Sequence, residues 1–423
     1  MLNIQLLRDD KETVINGLKK KNFKNPEVVD LILEIDAQRR KLQQQNDEIA
    51  ARSNAAAKQI GQLMGQGKKD EAEQVKQSVA SNKEHQRKIS EQLGELEAQQ
   101  FNELVKLPNM PSEYVPDGIT AEENVVMKIV EHVPQLPEGS LPHWELAAKY
   151  GLIDFETGTK ITGSGFPVYT GAGARLQRAL INYFLDYNTE RGYQELEVPI
   201  VVNEASGFGT GQLPDKEGQM YHVQNENLYL IPTAEVPLTN IYRDEILSNE
   251  QLPVLMTGYT PCFRREAGSY GKDVRGLNRL HQFDKVEIVA ITRPADSYAQ
   301  LQKMVDHVEG LLGSLQLPYR ILKLCGGDMS FASALTYDFE VWSAAQERWL
   351  EVSSVSNFEA FQTNRMKIRY KDDSGKTQLL HSLNGSSLAL PRIVACLLEN
   401  NQKENGIHLP EVLKPYLKDL IIS

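Results

Sequence analysis

The segment from Pro26 to about Leu104 restricts the possible folds more than any other part of this chain. It is rich in Gln, Glu, Lys and Ala, and it contains no proline after Pro26. Apolar or small residues recur every seven positions, which places them on one seam of a long helix: Val28, Ile35, Leu42, Ile49, Ala56 and Leu63. The sequence GQGKKD at 65–70 interrupts this pattern, and a second helix is predicted from about Asp70. Two long helices joined by so short a glycine turn must fold back, so the segment is predicted to form an antiparallel helical hairpin.

The second helix of this hairpin has a less regular apolar side, and the far part of the hairpin, which includes both helices, is basic. Its apolar positions are Val75, Val79, Ile89, Leu93 and Leu96, and Asn82 and Gln86 interrupt them. Residues 39–88 hold 11 Lys and Arg against 6 Asp and Glu, an excess of five positive charges. The pattern alone favours a dimerisation or spacer coiled coil. The concentrated positive charge instead suits contact with a phosphate backbone.

The chain as a whole carries the opposite charge. Its 423 residues have a net charge of -11, with 41% hydrophobic and 24% charged residues. This composition is typical of a soluble globular protein with two or three domains. Because the protein as a whole repels polyanions, any contact with nucleic acid must be made by local patches of Lys and Arg.

The sequence shows no signal for metal binding through cysteine, for secretion or for membrane insertion. Cys262, Cys325 and Cys396 are far apart and have no paired or metal-ligand spacing, so we expect a reducing compartment and no zinc. The start, MLNIQLLRDDKE, carries charges where a signal peptide has an apolar run. No stretch approaches the ~18 apolar residues of a membrane span. We therefore expect a cytoplasmic protein without membrane contact.

A second informative stretch runs from Tyr259 to Glu287, where charged and aromatic residues alternate. It contains Phe263, Arg264, Arg265, Glu266, Tyr270, Lys272, Asp273, Arg275, Arg279, Phe283, Asp284 and Lys285. The apolar runs PCF and FDKVEIVAI on either side read as strands, so the charges are predicted to line a hairpin. Arginine, a carboxylate and an aromatic ring suit the phosphate, the amino group and the base of a nucleotide. From spacing alone, a structural ion-pair cluster remains the alternative.

Four segments of this chain resemble those of one enzyme family. FRRE at 263–266, followed by AGSYGKDVRGL and HQFDKVE, resembles motif 2 of the class II aminoacyl-tRNA synthetases. The segments PTAEVPL at 232–238, EVSSVSNFEAFQTNR at 351–365 and LNGSSLALPRI at 383–393 narrow the resemblance to the bacterial-type seryl-tRNA synthetases. The order and spacing agree, and the resemblance covers essentially the whole chain. It implies an α+β fold with an antiparallel sheet in the catalytic domain and an N-terminal antiparallel helical arm.

The resemblance also implies how the chain is divided and assembled. Residues 1–105 would form the arm, which binds the long variable arm of serine tRNA, 106–120 a linker, and 121–423 the catalytic domain. The Pro-rich connection from Leu107 to Leu141 reads as linker and surface loop. A helix from about Ala172 to Arg191 and the strand YQELEVPIVV, which contains Pro199, are similar to motif 1, the element that forms the family's homodimer.

The residues expected to bind ATP follow from the matching motifs. Arg264 would hold the α-phosphate and the amino-acid carboxylate, Glu266 the adenine amino group, and Arg392 the γ-phosphate. Phe283 would stack on adenine, although an aromatic residue at such a position is more often part of a core. The remaining ATP contacts implied by the resemblance are Arg265, Leu280, Glu351, Val352, Ser353 and Ser354. Glu351 and Ser354 resemble the pair that holds Mg²⁺ across the triphosphate, for which two protein ligands suffice.

The resemblance assigns the amino-acid site to a separate set of residues: Thr233, Ala234, Glu235, Glu287 and Ser386. A carboxylate can pair with the serine ammonium, and Glu287 and Ser386 could bind the hydroxyl. Such a site rejects alanine by about 10⁴-fold because its polar groups are then left without partners. The chain departs from the family at Val355, where Cys is usual, and at Pro391, where Gly is common.

The implied reaction has two steps: serine and ATP give seryl-adenylate, and serine then passes to the 3′ end of serine tRNA. The family also charges selenocysteine tRNA with serine. Two other functions stay open at this stage. A ligase that loads a carrier protein would lack the long arm, and a non-catalytic coiled-coil protein would have no need of Arg264, Glu266, Glu287, Glu351 and Arg392 together.

Overall fold

The computed structural model describes residues 1–131, 133–215, 218–267 and 275–423. The chain forms two compact units, one made of 1–19 and 23–108 and the other of 20–22 and 109–423.

The first unit is helical. Its helices are α1 (Ile4–Asp9), α2 (Lys11–Lys20), α3 (Val28–Gly65) and α4 (Lys69–Leu104). The turn after α3 explains the interruption at GQGKKD: Gly67 has φ +76°, which only glycine adopts easily. The N–H of Lys68 donates to the carbonyl of Leu63 at 3.0 Å, and the N–H of Gly67 donates to that of Met64 at 3.1 Å, which together form a Schellman motif. The predicted hairpin is confirmed, and α3 and α4 pack along their length.

The predicted seam lies between the two long helices. Ile49 on α3 and Ile89 and Leu93 on α4 form a small apolar cluster, against which Leu42 packs. Asn82 and Gln86 are half-buried on the same side of α4, so these polar residues interrupt the apolar character of the seam without ending the helix.

A buried carboxylate ties the short N-terminal helices, which the pattern did not predict, to the hairpin. Asp36 on α3 is fully buried and accepts hydrogen bonds from Arg8 at 2.6 Å and from Gln100 at 3.1 Å. Although burial opposes ionisation, these hydrogen bonds lower the pKa of Asp36 to about 2. This contact links α1, α3 and α4.

The second unit combines helices with one large sheet. The helices are α5 (His143–Lys149), α6 (Phe155–Ile161), α7 (Gly171–Thr189), α8 (Glu204–Thr210), α9 (Glu235–Asn240), α10 (Ser297–Ser314), α11 (Ala360–Met366) and α12 (Leu390–Asn400). The strands are β1 (Val125–Val130), β2 (Ile153–Asp154), β3 (Val168–Tyr169), β4 (Gln194–Glu195), β5 (Val201–Asn203), β6 (Leu228–Leu230), β7 (Ile246–Leu247), β8 (Val254–Phe263), β9 (Gln282–Thr292), β10 (Tyr319–Lys323), β11 (Leu335–Ser343), β12 (Arg348–Glu359), β13 (Arg369–Lys371), β14 (Thr377–Leu379), β15 (His381–Ala389), β16 (Gln402–Lys403), β17 (Gly406–His408) and β18 (Ile421–Ile422).

The large sheet has the order β1-β10-β11-β12-β15-β9-β8-β4. All neighbouring strands are antiparallel except β4 and β8, which are parallel. The predicted antiparallel sheet is therefore confirmed. Helices α7, α10 and α12 pack against it and share its main apolar core. On α7, Leu176, Leu180 and Phe184 recur at helical spacing and are buried, which directs that face of the helix to the sheet.

Two predictions were wrong in part. The strand predicted over 193–202 is not continuous. It is divided into β4, which pairs with β8, and β5, which pairs with β6. Pro199 lies between them and has no N–H to donate to a neighbouring strand. The Pro-rich connection from Leu107 to Leu141 contains β1, an edge strand whose apolar side chains are mostly exposed, so its sequence lacks the alternation of a half-buried strand. Among the described residues, no helix is both long and apolar enough to span a membrane.

Candidate active site

The charged stretch lies at the end of a β-hairpin formed by β8 and β9. Phe263 pairs with Gln282, and the N–H of Arg264 donates to the carbonyl of His281 at 2.9 Å, which continues the pairing by one residue. The hairpin predicted from the flanking apolar runs is therefore present. Residues 268–274, which include Tyr270, Lys272 and Asp273 of the predicted cluster, lie outside the described residues.

One cavity collects most of the predicted nucleotide-binding residues. Its lining residues are Arg264, Glu266, Leu277, Asn278, Arg279, Leu280, Phe283, Lys285, Glu351, Val352, Ser353, Ser386, Ala389, Pro391 and Arg392. These residues come from the β8–β9 hairpin, β12, the end of β15 and the first turn of α12. Positions more than 120 residues apart in the sequence thus meet at one place on the sheet.

The two arginines expected to bind phosphate groups line this same cavity. The guanidinium of Arg264 lies over the ring of Phe283, 5.1 Å from its centroid, and Nε donates to the carbonyl of Pro232 at 3.4 Å. Arg392 donates from Nε to the carbonyl of Asn278 at 3.1 Å and from a terminal nitrogen to the carbonyl of Glu351 at 2.6 Å. Because backbone carbonyls hold both side chains, the two positive charges are kept in place before any ligand binds.

Glu266, three residues after the end of β8, is partly buried and faces Arg279. Its Oε2 lies 3.3 Å from Nε of Arg279, and its backbone has φ +48°. A left-handed backbone at a non-glycine residue costs free energy and often marks a site where a side chain is aimed for function. Arg279 belongs to the charged stretch but was not predicted as a site residue.

The predicted site residues on β12 do not all line the cavity. Glu351 is exposed to the cavity, where its Oε2 lies 3.7 Å from Arg392. Ser353 is buried, and its hydroxyl donates to the carbonyl of Ser386 at 2.6 Å, which ties β12 to β15. Arg265 and Ser354 are not among the described residues that line the cavity, and Arg265 is exposed.

The predicted amino-acid site lies beside this cavity and is buried. Glu287 pairs with Lys285 at 2.7 Å and accepts a hydrogen bond from Ser386 at 3.5 Å, and all three side chains are at most 8% exposed. Lys285 was counted in the charged stretch but not predicted as a site residue. Phe283, Lys285 and Glu287 alternate along β9 and share one face, so strand periodicity would have identified Lys285.

The remaining predicted amino-acid contacts lie at the start of α9. Thr233, Ala234 and Glu235 are all buried, and the hydroxyl of Thr233 accepts from the N–H of Glu235 at 3.2 Å. Glu235 accepts a hydrogen bond from Gln362 at 2.6 Å. Burial, together with the nearby charge of Glu287, raises the pKa of Glu235 to about 7. The site therefore holds two buried carboxyl groups, one of them paired with Lys285, and the carboxylate of Glu235 could accept a cation such as an ammonium group.

An antiparallel sheet with an arginine on a strand hairpin and a second arginine on the first turn of a following helix defines the core of a class II aminoacyl-tRNA synthetase. Residues 221–401 match the model of the tRNA synthetase class II core domain (G, H, P, S and T). Residues 1–111 match the model of the seryl-tRNA synthetase N-terminal domain.

Proteins that match over the full length of the chain identify the family within this class. The chain is 51% identical to a serine–tRNA ligase of Salinibacter ruber over 98% of each chain, and 46% identical to one of Akkermansia muciniphila over 98% of this chain and 97% of the relative. Its structure is similar to that of a seryl-tRNA synthetase from Pyrococcus horikoshii complexed with ATP, with a TM-score of 0.90 and 32% identity over 100% of this chain and 99% of the other. A serine–tRNA ligase from Naegleria fowleri in complex with AMP gives a TM-score of 0.89 at 26% identity, with the same coverage. The chain belongs to the seryl-tRNA synthetase family.

Proposed function

We propose that this chain is a serine–tRNA ligase that activates L-serine with ATP and then transfers the serine to the 3′ end of serine tRNA. One observation carries the proposal: Arg264 and Arg392 line one cavity, which adjoins the buried site of Glu287 and Ser386. A nucleotide and a small amino acid placed in these two sites would meet end to end.

In the first step, the serine carboxylate attacks the α-phosphorus of ATP and pyrophosphate leaves. Arg264 stabilises the negative charge that develops between the carboxylate and the α-phosphate, and Arg392 binds the γ-phosphate. The reacting oxygen needs no proton removed, so positioning and charge neutralisation are the contributions required of the protein. Phe283 offers a face for adenine to stack on, Leu280 an apolar contact, and Glu266 an acceptor for the adenine amino group. In the second step, a hydroxyl of the terminal adenosine attacks the carbonyl carbon of seryl-adenylate and AMP leaves.

Selection of serine follows from the polar groups at the base of the pocket. Glu287 and Ser386 bind the serine hydroxyl, and Glu235, at the end of the buried 233–235 segment, pairs with the ammonium group of serine. The ion pair of Lys285 with Glu287 supports this assignment because it holds the carboxylate in a fixed orientation. Alanine would leave these groups without a partner, and the exclusion of threonine would depend on size.

We propose that Glu351 and Ser354 hold Mg²⁺ together with the phosphates of ATP. Ser354 lies directly across the strand pair from Asp338, whose Oδ1 is buried without a hydrogen-bond partner in the described part of the chain. A buried acceptor oxygen without a partner next to Ser354 fits a hard cation. No group of three or more His, Cys, Asp or Glu side chains suited to a metal was found among the described residues, so the phosphates would complete the coordination. The cation would neutralise charge on the triphosphate, and no role for zinc is proposed.

We further propose that the helical hairpin binds serine tRNA, with residues 1–105 as the tRNA-binding arm, 106–120 as a linker and 121–423 as the catalytic domain. The 38 residues of α3 span about 57 Å, which offers an extended surface for contact with RNA. Among the described residues, Lys41, Arg52, Lys58 and Lys83 of the hairpin have no carboxylate within ion-pair distance. Their charges are therefore available for phosphate groups.

We further propose that two copies of this chain form a homodimer in the cytoplasm. The edge strand β1 supports self-association, because Val125, Val126, Met127 and Ile129 are each 43–50% exposed at the end of the large sheet. An exposed apolar edge strand is prone to pair with another chain unless it is covered. A second copy of this chain would cover it.

The decisive experiment is ATP–pyrophosphate exchange with each of the twenty amino acids, followed by aminoacylation of serine tRNA. We expect exchange with serine alone and transfer of serine to serine tRNA. Exchange with another amino acid would reject the assigned specificity. Exchange with serine but without charging of serine tRNA would favour a carrier-loading ligase.

A further inference from the structure

A buried cluster next to the nucleotide cavity has no role in the proposed mechanism. It is centred on His143, the first residue of α5, and Glu399 on α12, both of which are fully buried. Nδ1 of His143 lies 2.7 Å from Oε1 of Glu399, and the backbone N–H of His143 donates to the same oxygen at 3.0 Å. The carboxylate also accepts from the hydroxyl of Ser343 and from Gln346. Although burial opposes ionisation, the hydrogen bonds from His143 hold the pKa of Glu399 below its ordinary value.

The second nitrogen of His143 contacts the backbone of the nucleotide site. Nε2 lies 2.8 Å from the amide nitrogen of Leu277, whose N–H can only donate. Nε2 must therefore be the unprotonated acceptor, and Nδ1 carries the proton that it donates to Glu399. The contact is close enough that a side chain at Gly276, where φ is +66°, would place its Cβ 2.2 Å from Nε2. The next residue of α5, Trp144, stacks against Arg275 with 4.6 Å between the guanidinium and the ring.

The same cluster extends to the arginine expected to bind the γ-phosphate. Gln346 donates to Glu399 at 3.0 Å and accepts from the side chain of Asn278 at 2.9 Å. The carbonyl of Asn278 accepts from Nε of Arg392 at 3.1 Å. Arg392 and Glu399 are seven residues apart on α12 and so lie on one side of the helix. One side of α12 thus holds the 275–280 segment at two points, through Arg392 directly and through Glu399 and His143.

We propose that His143 and Glu399 are positioning residues for the nucleotide site: they fix Leu277 to Leu280, and through Asn278 they orient Arg392 toward the triphosphate. The inference rests on the proposed function, because it names the substrate whose binding the pair controls. Four consecutive residues from Leu277 to Leu280 line the ATP cavity, whereas Glu287 and Ser386 of the serine site are held by other contacts. Loss of the pair should therefore weaken use of ATP and leave use of serine intact. A purely structural role would impair both.

The test compares two substitutions of His143 in serine-dependent ATP–pyrophosphate exchange. His143→Phe keeps the bulk but leaves the N–H of Leu277 without an acceptor. We expect the KM for ATP to rise by about 10- to 100-fold, the range that corresponds to one unsatisfied buried donor, while the KM for serine changes by less than about threefold. His143→Gln can place an amide oxygen where Nε2 lies, and it should restore most of the KM for ATP even if thermal stability stays low.

Two further variants make the test robust. His381→Phe is a control, because His381 is partly buried and its Nδ1 lies 2.9 Å from the hydroxyl of Ser297, but it does not line the cavity. It should lower thermal stability without a selective effect on ATP. Gln346→Ala removes the side chain that links Glu399 to Asn278 but leaves the bond between Nε2 of His143 and the N–H of Leu277 in place. It therefore tests the same idea if His143→Phe does not fold, and it should raise the KM for ATP by about tenfold.

The outcomes separate this inference from the proposed function. Absence of serine-dependent exchange in the unaltered enzyme would reject the function itself. Normal exchange in the unaltered enzyme, combined with equal increases in both KM values for His143→Phe and Gln346→Ala, would overturn the positioning role. Failure of His143→Gln to recover the KM for ATP would do so as well.

Discussion

Replacing Glu287 by alanine should abolish activation of serine, and the structure allows the size of the effect to be worked out. Glu287 is 1% exposed, pairs with Lys285 at 2.7 Å and accepts from Ser386 at 3.5 Å. A buried polar site that loses its partner for a substrate hydroxyl loses about 10⁴-fold in kcat/KM. We expect a loss of this size in serine-dependent ATP–pyrophosphate exchange. Glu287→Gln keeps the shape but loses the charge, and it should lose about 10- to 150-fold, the equivalent of one charge-assisted hydrogen bond.

The same substitution should destabilise the protein, and this effect can be separated from the loss of activity. Lys285 is 6% exposed, so removal of its partner leaves a buried charge that costs about 3–5 kcal/mol in the free energy of unfolding. The double variant Lys285→Met, Glu287→Ala removes that charge. It should recover most of the thermal stability measured by calorimetry but none of the exchange activity. Near-normal exchange by Glu287→Ala would refute the assigned serine site.

Three other predictions test separate parts of the proposal. The raised pKa of Glu235 contributes stability that is fully present below the ordinary pKa of 4.5 and is lost as the pH rises through about 7. Over this range the free energy of unfolding of the serine-free enzyme should therefore fall by up to about 3 kcal/mol more than that of Glu235→Gln. Parallel pH profiles of the two proteins would contradict this. Replacement of residues 26–104 by a short Gly-Ser linker should leave ATP–pyrophosphate exchange within about threefold of normal and abolish charging of serine tRNA, and charging at a normal rate would reject the arm as the tRNA-binding element. Met127→Lys on the exposed edge strand β1 should shift the protein toward monomers in analytical ultracentrifugation. The control Ile161→Lys, at a position that is 70% exposed elsewhere on the second unit, should not. Equal effects of the two substitutions would argue against β1 as the interface.

Local sequence patterns predicted those helices and strands in which apolar residues recur with the period of the helix or strand itself. The seven-residue spacing from Val28 to Leu63 predicted the long helix, and Gly67 supplied the turn that a left-handed backbone requires. The hairpin around Arg264 could be predicted because apolar runs flank the charges on both strands. Arg264 and Arg392 were expected to converge only because of the resemblance to a family, since nothing in their spacing along the chain indicates proximity.

Features that depend on pairing between distant segments could not be predicted. The exposed strand β1 exists because β10 pairs with it, and its own side chains show no alternation. The contact between His143 and Leu277 joins residues 134 positions apart, and a lone histidine at the start of a short helix gives no signal of it. Lys285 was the exception. Because alternate residues of a strand lie on the same face, its position between Phe283 and Glu287 could have been inferred from the sequence.

The most direct test of the account is a crystal structure of this protein with ATP, Mg²⁺ and a non-reactive serine analogue. The account predicts the guanidinium of Arg264 within hydrogen-bond distance of the α-phosphate and that of Arg392 on the γ-phosphate, with the analogue bound between Glu287 and Ser386. A triphosphate that contacts only one of the two arginines, or an analogue bound away from Glu287, would contradict it.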